Sequence, residues 1–301
     1  MSPEEAKSEL YRIFDGLGIT PGQLLIVHSD MTGVPLPKNN TPFSRGAVRC
    51  QRETWCAFLF EALMARLGPE GTLAVPTFTY STTKPGGIFH LEATPSEVGP
   101  FSEHVRRRPE ARRSLHPIFS LAAVGRLAAT IVHECGAAAF GQESPWQRLS
   151  NNGGRVVTLG TAFERSATYA HHMEHCFGSP HRFHKIVDIP VYREGERVEG
   201  YWLAYLRYLS IDVGPSLGRL AERLRREGVM RSVGWNGKIS EAVDIADMDR
   251  IGYAMLRKDP WAFASRRANM HITENIPADG PCGSAEVDLR INVSASRIDN
   301  A

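Results

Sequence analysis

Three short, uninterrupted apolar runs constrain the fold of this chain more than any other feature. They lie at 24–29 (LLIVHS), at the start of 71–81 (GTLAVPTFTYS) and at 155–160 (RVVTLG). Continuous apolar runs of this length, bounded by Gly, Pro and Asn, are typical of strands buried on both faces of a sheet. Such strands need helices on both sides, so the pattern predicts an α/β fold.

Amphipathic segments alternate with these strands along the chain. Helices are predicted at 4–17, 53–67, 101–108, 126–135, 168–177, 215–227 and 240–258. A further strand is predicted near 118–124, and a hairpin at 186–202 around a turn at Glu194. The predicted fold class is therefore a mainly parallel central sheet with helices on both faces, a three-layer α/β/α arrangement, plus a β-hairpin embellishment.

Length and composition favour one large domain. The chain has 301 residues, and we expect a single domain over 1–270 followed by an extended or poorly ordered tail over 271–301, where polar, Gly and Pro residues dominate. No run approaches the roughly 20 apolar residues that a membrane span needs. No basic-then-apolar signal segment begins the sequence, so we expect a cytoplasmic protein with no membrane partner. In that compartment its five scattered cysteines would be reduced.

Charge argues against nucleic acid as a partner, because the formal net charge is only +2. Basic residues are nevertheless concentrated in one segment, which contains Arg106, Arg107, Arg108, Arg112 and Arg113. Two interpretations stay open for this arginine cluster. It is either a solvated helix face or a patch that contacts the phosphates of a cofactor or an anionic substrate.

The segment 168–175 (TYAHHMEH) is the richest in chemically reactive side chains. It follows the third predicted strand, at the sheet edge where open α/β sheets place their sites. His171 and Glu174 are three residues apart and share a helix face. A carboxylate there fixes the imidazole tautomer and raises the basicity of the other nitrogen, so His171 could act as a general base. Thr168 would cap the helix, its hydroxyl accepting the backbone N–H of His171.

The same residues permit a metal site. His171, Glu174 and His175 form an H-x-x-E-H string, the inverse zinc-peptidase signature. The sequence offers no clear third protein ligand, so we expect no metal. A zinc-dependent hydrolase that uses these three residues remains the alternative.

Small hydroxyl groups lie at the same predicted sheet edge, after the first and second strands and before the strand near 118–124. They occur in the segments 28–30 (HSD), 77–81 (TFTYS) and 114–117 (SLHP). Such groups suit an extended amide-rich ligand or a phosphate. The chain contains neither G-x-G-x-x-G nor G-x-x-x-x-G-K-[ST], which argues against a dinucleotide or P-loop site.

Taken in order, these segments resemble the aminoglycoside 3-N-acetyltransferase family of antibiotic N-acetyltransferases. The resemblance extends over about residues 20–265. The matching segments lie at 27–31, 71–81, 114–125, 140–149, 153–160, 168–174 and 181–185.

The resemblance implies an N-acyltransferase that uses acetyl-CoA as co-substrate and transfers the acetyl group directly to a primary amine, without an acyl-enzyme. It implies His171 as general base, Glu174 as its orienting partner and Thr168 beside the reacting carbonyl. It also implies that Ser29 and its neighbours line the pantetheine channel. The predicted cofactor-binding residues are His28, Ser29, Met31, Thr77, Ser114 and His116.

The acceptor is where the sequence departs from this family. Aminoglycosides are polycations, whereas this chain has a pI near 8.3, and the loops at 82–113 and 177–185 are basic. We therefore expect the amine of a neutral or anionic amino sugar, with an aminoglycoside and antibiotic resistance still open. A non-catalytic relative that binds CoA or an amine is another alternative, and a homodimer is compatible with the sequence.

Overall fold

The structure, a computed structural model, describes residues 1–37, 45–208, 211–272 and 293–297. Within these ranges the strands are β1 (Leu24–Ser29), β2 (Thr72–Pro76), β3 (Phe89–His90), β4 (Arg112–Arg113), β5 (Leu121–Gly125), β6 (Arg155–Leu159), β7 (Arg182–Val187), β8 (Val191–Arg193), β9 (Glu196–Arg197), β10 (Trp202–Arg207), β11 (Arg231–Trp235), β12 (Lys238–Asp244), β13 (Ala268–Ile272) and β14 (Val293–Arg297). The helices are α1 (Pro3–Leu17), α2 (Arg45–Leu67), α3 (Pro100–Arg106), α4 (Ala128–Val132), α5 (Pro145–Asn151), α6 (Phe163–Ser166), α7 (Tyr169–Phe177), α8 (Gly218–Arg226) and α9 (Ile245–Lys258).

The central sheet has the strand order β11-β12-β6-β1-β2-β5-β4 among the described residues. Its three middle strands, β6, β1 and β2, are parallel, and Leu25 lies opposite both Arg155 and Leu73. The strands on either side continue the sheet with antiparallel pairings. The predicted α/β class, with parallel buried strands at its centre, is confirmed.

Alternation along β1 explains the three layers. Leu25 and Val27 pack on one face against the apolar sides of α1, α2 and α3. Leu24 and Ile26 point to the other face, where residues of α4 to α9 cover them. Successive side chains of a strand point to opposite faces, so a strand that is apolar throughout needs a helical layer on each side.

The predicted hairpin is present but shorter than expected. β8 and β9 pair across Glu194 and Gly195, whose φ angles of 53° and 83° are those of a tight hairpin turn. Outside this turn, β7 pairs instead with β10 in a separate antiparallel sheet. These strands pack around a third apolar cluster that includes Phe183 and Trp202.

The prediction of a helix at 240–258 was wrong for its first five residues. Residues up to Asp244 belong to β12, and α9 begins at Ile245. β12 forms a hairpin with β11 through Asn236 and Gly237, which both have positive φ. It also pairs with β6, and this tertiary contact overrides the local helical pattern.

Most of the predicted tail, residues 273–292 and 298–301, lies outside the described residues. Its described parts are extended, because β13 and β14 pair antiparallel. Cys282 also lies outside, and the other four cysteines are free thiols. No helix in the described ranges has the length and apolar character to cross a membrane.

Candidate active site

The loops that follow β1 and β6 touch each other at the carboxyl edge of the sheet. A Cβ on Gly33 would overlap the carbonyl group of Gly160, so the two loops approach as closely as only glycine allows. Gly160 has a φ of 70° and turns the chain from β6 toward α6 and α7. This approach brings His28, near the end of β1, beside Thr168, at the start of α7.

His171 and Glu174 form the predicted pair on α7. The Nδ1 atom of His171 lies 2.8 Å from Oε2 of Glu174. The Glu174 side chain is 1% exposed, whereas that of His171 is 24% exposed. The pair therefore has a buried carboxylate at its base and an imidazole that solvent and ligands can reach.

Two further side chains surround Glu174, and both come from the basic segment 177–185. Arg182 Nε lies 2.8 Å from Oε2, and His181 Nε2 lies 3.2 Å from Oε1. Burial alone would raise the pKa of the Glu174 carboxyl, but the Arg182 guanidinium and the two imidazoles outweigh it and hold this pKa well below its usual range. Glu174 is therefore a buried anion at neutral pH.

These contacts assign the proton on His171. Nδ1 lies 2.8 Å from the Glu174 carboxylate and 3.0 Å from Nη2 of Arg182. The ionised carboxylate can only accept and is the closer partner, so Nδ1 carries the hydrogen and donates it to Glu174. The neighbouring Arg182 guanidinium forms an ion pair with the same carboxylate. No hydrogen bond from the described part of the chain reaches Nε2. Burial and the Arg182 charge lower the pKa of His171 despite the opposing effect of Glu174, so Nε2 is an unprotonated base at pH 7.

Thr168 has a different partner from the one expected. Its hydroxyl makes no cap hydrogen bond, and its backbone carbonyl instead accepts the N–H of His171 at 3.0 Å. The predicted hydroxyl cap is therefore wrong. Thr168 Oγ1 lies 2.8 Å from Nε2 of His28, a contact across 140 residues that no local pattern reveals.

The other predicted cofactor-binding residues are placed unevenly. Ser29 is half-buried at the end of β1, and the described residues make no hydrogen bond to its hydroxyl. Met31 packs in an apolar cluster. The other three already have hydrogen-bond partners inside the protein. Thr77 Oγ1 pairs with Ser120 Oγ, and Ser114 Oγ accepts the N–H of Leu121. His116 Nδ1 accepts the N–H groups of Ile118 and Phe119. Their role toward a cofactor stays a prediction.

The zinc interpretation finds little support in the geometry. Glu174 is already neutralised by Arg182, which disfavours a second cation. His175 has His184 as its polar contact, with 3.3 Å between Nδ1 of His175 and Nε2 of His184. No group of three metal-binding side chains is assembled anywhere in the ranges that the structure describes.

The arginine cluster is partly internal. Arg113 donates to the carbonyls of Thr77, Leu91 and Thr94, and burial lowers its pKa to about 9. Arg106 pairs with Glu103 at 2.7 Å. The cluster lines a cavity of about 870 Å³ at the edge of the sheet. Its two most buried members therefore stabilise loops and are not free to bind a ligand.

Buried neutral histidines predict acid sensitivity. Burial lowers the pKa of His28 to about 4, of His116 to about 3 and of His172 to about 4, from 6.5. Between pH 6.5 and 4 the unfolded chain takes up protons that the folded chain does not. The free energy of unfolding therefore decreases as the pH is lowered through this range. In this range each histidine should lower the free energy of unfolding by about 1.4 kcal/mol for every unit by which the pH is lowered. Urea titrations at pH 7 and pH 5 measure this loss, and equal midpoints would contradict it.

Comparison with known proteins places this chain in a family. The sequence profile described as Aminoglycoside 3-N-acetyltransferase matches residues 26–257. Aminoglycoside N(3)-acetyltransferase IV of a Salmonella species is 32% identical over 169 residues, and the alignment spans 56% of this chain and only 58% of that relative. Aminoglycoside N(3)-acetyltransferase III of Pseudomonas aeruginosa is 28% identical over 253 residues, covering 78% of this chain and 86% of the relative.

Solved structures agree with the sequence matches. The apoenzyme of aminoglycoside acetyltransferase AAC(3)-IVa aligns with a TM-score of 0.64 and 25% identity, over 85% of this chain and 90% of that one. A complex of a variant of that enzyme with a gentamicin aligns with a TM-score of 0.65, 25% identity and the same coverage. All these relatives are acetyltransferases by name, the enzyme class predicted from the sequence. The profile match covers well over half of the chain, and the protein therefore belongs to the aminoglycoside 3-N-acetyltransferase family.

Proposed function

We propose that this protein transfers an acetyl group from acetyl-CoA to a primary amine of an aminoglycoside or a related amino sugar. The observation that carries the proposal is the free Nε2 of His171, on an imidazole whose other nitrogen is held by the buried Glu174. Family membership supports the reaction class. The geometry supports His171 as the general base.

Acetyl-CoA, when bound, supplies a thioester carbonyl that an amine can attack. The nitrogen lone pair forms the C–N bond as the C–S bond breaks, and His171 Nε2 takes the amine proton. Glu174 stabilises the imidazolium that results, because its carboxylate already accepts the Nδ1 hydrogen. His171 then returns the proton to the departing thiolate, so the chain ends each turnover unchanged.

We assign the pantetheine chain of the co-substrate to the sheet edge at the end of β1. The hydroxyl of Ser29 is free of hydrogen bonds to the described residues at the end of β1, the strand that also carries His28. An extended amide-rich ligand needs such polar groups along its path. We assign Ser29 as the best-supported contact among the predicted cofactor-binding residues.

The acceptor proposal includes cationic aminoglycosides. The basic loops favoured a neutral or anionic acceptor, but Arg106, Arg113 and Arg182 are engaged by carboxylates or carbonyls inside the protein. Their charge is therefore weaker toward the site than the sequence suggests. A relative of this fold binds a gentamicin, which supports testing that compound class first.

A thiol-release assay with acetyl-CoA tests the function. Gentamicin, apramycin and a nucleotide-linked amino sugar serve as acceptors. We expect release that depends on an amine, and a melting temperature that rises with CoA by mass action. Stabilisation by CoA without release with any amine would indicate a non-catalytic binding relative. Stoichiometric zinc, and activity lost to a chelator, would instead indicate the hydrolase.

Arg182 should set the acidic limit of activity. Its charge lowers the pKa of His171, and the base must be unprotonated, so activity falls as pH drops through that pKa. In Arg182→Gln the pKa of His171 should rise, and the acid limb of kcat/KM should move to higher pH. Arg182→Lys keeps a charge and is the matched control. The midpoint of a pH profile does not depend on the amount of active enzyme. An acid limb of kcat/KM at the same pH in Arg182→Gln as in the wild type would therefore contradict the effect of Arg182 on the pKa of His171.

A further inference from the structure

The hydrogen bonds around His28 determine which of its nitrogens carries a proton. The backbone N–H of Thr168 lies 3.4 Å from Nε2 and can only donate, so Nε2 is the unprotonated nitrogen. The proton is left on Nδ1, which is buried and makes no hydrogen bond to the described residues. His28 is 6% exposed, and burial lowers its pKa to about 4, so the ring stays neutral at physiological pH.

This tautomer fixes the direction of the Thr168 hydroxyl. Oγ1 lies 2.8 Å from the unprotonated Nε2, so the O–H group must donate its hydrogen to His28. A hydroxyl has one hydrogen and two lone pairs. With the hydrogen engaged, Thr168 Oγ1 presents only lone pairs to its remaining neighbours and acts toward a substrate as an acceptor.

His171 provides a second acceptor close by. Thr168 and His171 lie three residues apart at the first turn of α7, joined by the hydrogen bond from His171 N to the Thr168 carbonyl. An amine that attacks through its lone pair directs its N–H bonds away from the carbonyl carbon. We propose that Thr168 Oγ1 and His171 Nε2 accept the two N–H bonds of a primary amine, and that His28 is the positioning residue that keeps Thr168 an acceptor.

This two-acceptor site rests on the proposed function and specifies its substrate class. A primary amine donates one N–H to each acceptor, and these two hydrogen bonds orient its lone pair toward the thioester carbonyl carbon. A secondary amine has one N–H, so either the base or Thr168 loses its partner. An enzyme built to hydrogen-bond a substrate group rejects an analogue that lacks it, because its own polar atoms are left unpaired. The site therefore selects primary amines, and Thr168 keeps its own proton throughout.

The test compares a single purified gentamicin with the same compound monomethylated on the nitrogen that becomes acetylated. We expect the wild-type kcat/KM to be about tenfold or more higher for the primary amine. Thr168→Val, which keeps the shape and removes the acceptor, should lower kcat/KM for the primary amine and bring the ratio near one. Thr168→Ser keeps the hydroxyl and should keep the ratio.

His28 is tested by the same ratio. His28→Leu removes the acceptor that holds the Thr168 hydrogen, so the preference should fall, whereas His28→Gln offers a new acceptor and should restore part of it. Each ratio is measured on one preparation and is unaffected by partial unfolding. Equal losses for both amines in Thr168→Val would overturn the inference, since Thr168 would then act on the acyl group or on structure. An inactive wild-type enzyme would instead overturn the proposed function, and the inference with it.

Discussion

Replacing His171 with alanine is expected to lower kcat by about 10³-fold, because proton transfer by a positioned base contributes roughly 10²- to 10⁴-fold. The physical reason is that Nε2 is the unprotonated, hydrogen-bond-free nitrogen of a histidine whose Nδ1 is held 2.8 Å from a buried carboxylate. The measurement is thiol release from acetyl-CoA at saturating acceptor. Added imidazole should restore part of the rate by occupying the vacated volume.

The control is His133→Ala, since the His133 side chain is 60% exposed and lies outside the site. This variant should retain wild-type turnover. CoA should raise the melting temperature of His171→Ala as much as that of the wild type, because the change removes the base and leaves the binding surface. A His171→Ala enzyme within about threefold of wild-type kcat would show that another group takes the proton.

Elements whose pattern is local were predictable from the sequence. The strands β1, β2 and β6 lie where the apolar runs predicted them, because a run apolar on both faces has no other stable position in an α/β fold. α2 extends to Arg45, earlier than predicted, and β12 replaces the start of a predicted helix. The second difference arises because β12 pairs with β6, a contact with a distant element that outweighs local propensity.

The candidate site was predictable only where its residues are close in sequence. His171 and Glu174 are one helical turn apart, so their pairing follows from helix geometry. The contact of His28 with Thr168 depends on how two loops approach across the sheet. Arg182 is eight residues after Glu174, and the intervening turn at Gly178, with a φ of 80°, reverses the chain and returns the guanidinium to the carboxylate. A basic residue soon after a glycine that ends a helix was the available signal.

Replacing Glu174 with leucine is expected to lower the free energy of unfolding by about 3–5 kcal/mol, the cost of leaving a buried charge without its partner. Arg182 has a side chain only 8% exposed, and Glu174 is the carboxylate within 2.8 Å of its Nε. Urea denaturation at pH 7 measures this loss. Turnover should also fall by about 10- to 100-fold, because His171 loses the acceptor that orients it.

The double variant Glu174→Leu with Arg182→Leu separates stability from catalysis. Replacing both partners of a buried ion pair with apolar groups is often close to neutral, so most of the lost stability should return. The activity should stay low, because the acceptor for His171 Nδ1 is still missing. If the double variant were as unstable as Glu174→Leu alone, Arg182 would not be the charge that Glu174 neutralises. If its activity recovered with its stability, Glu174 would serve the fold and not the base.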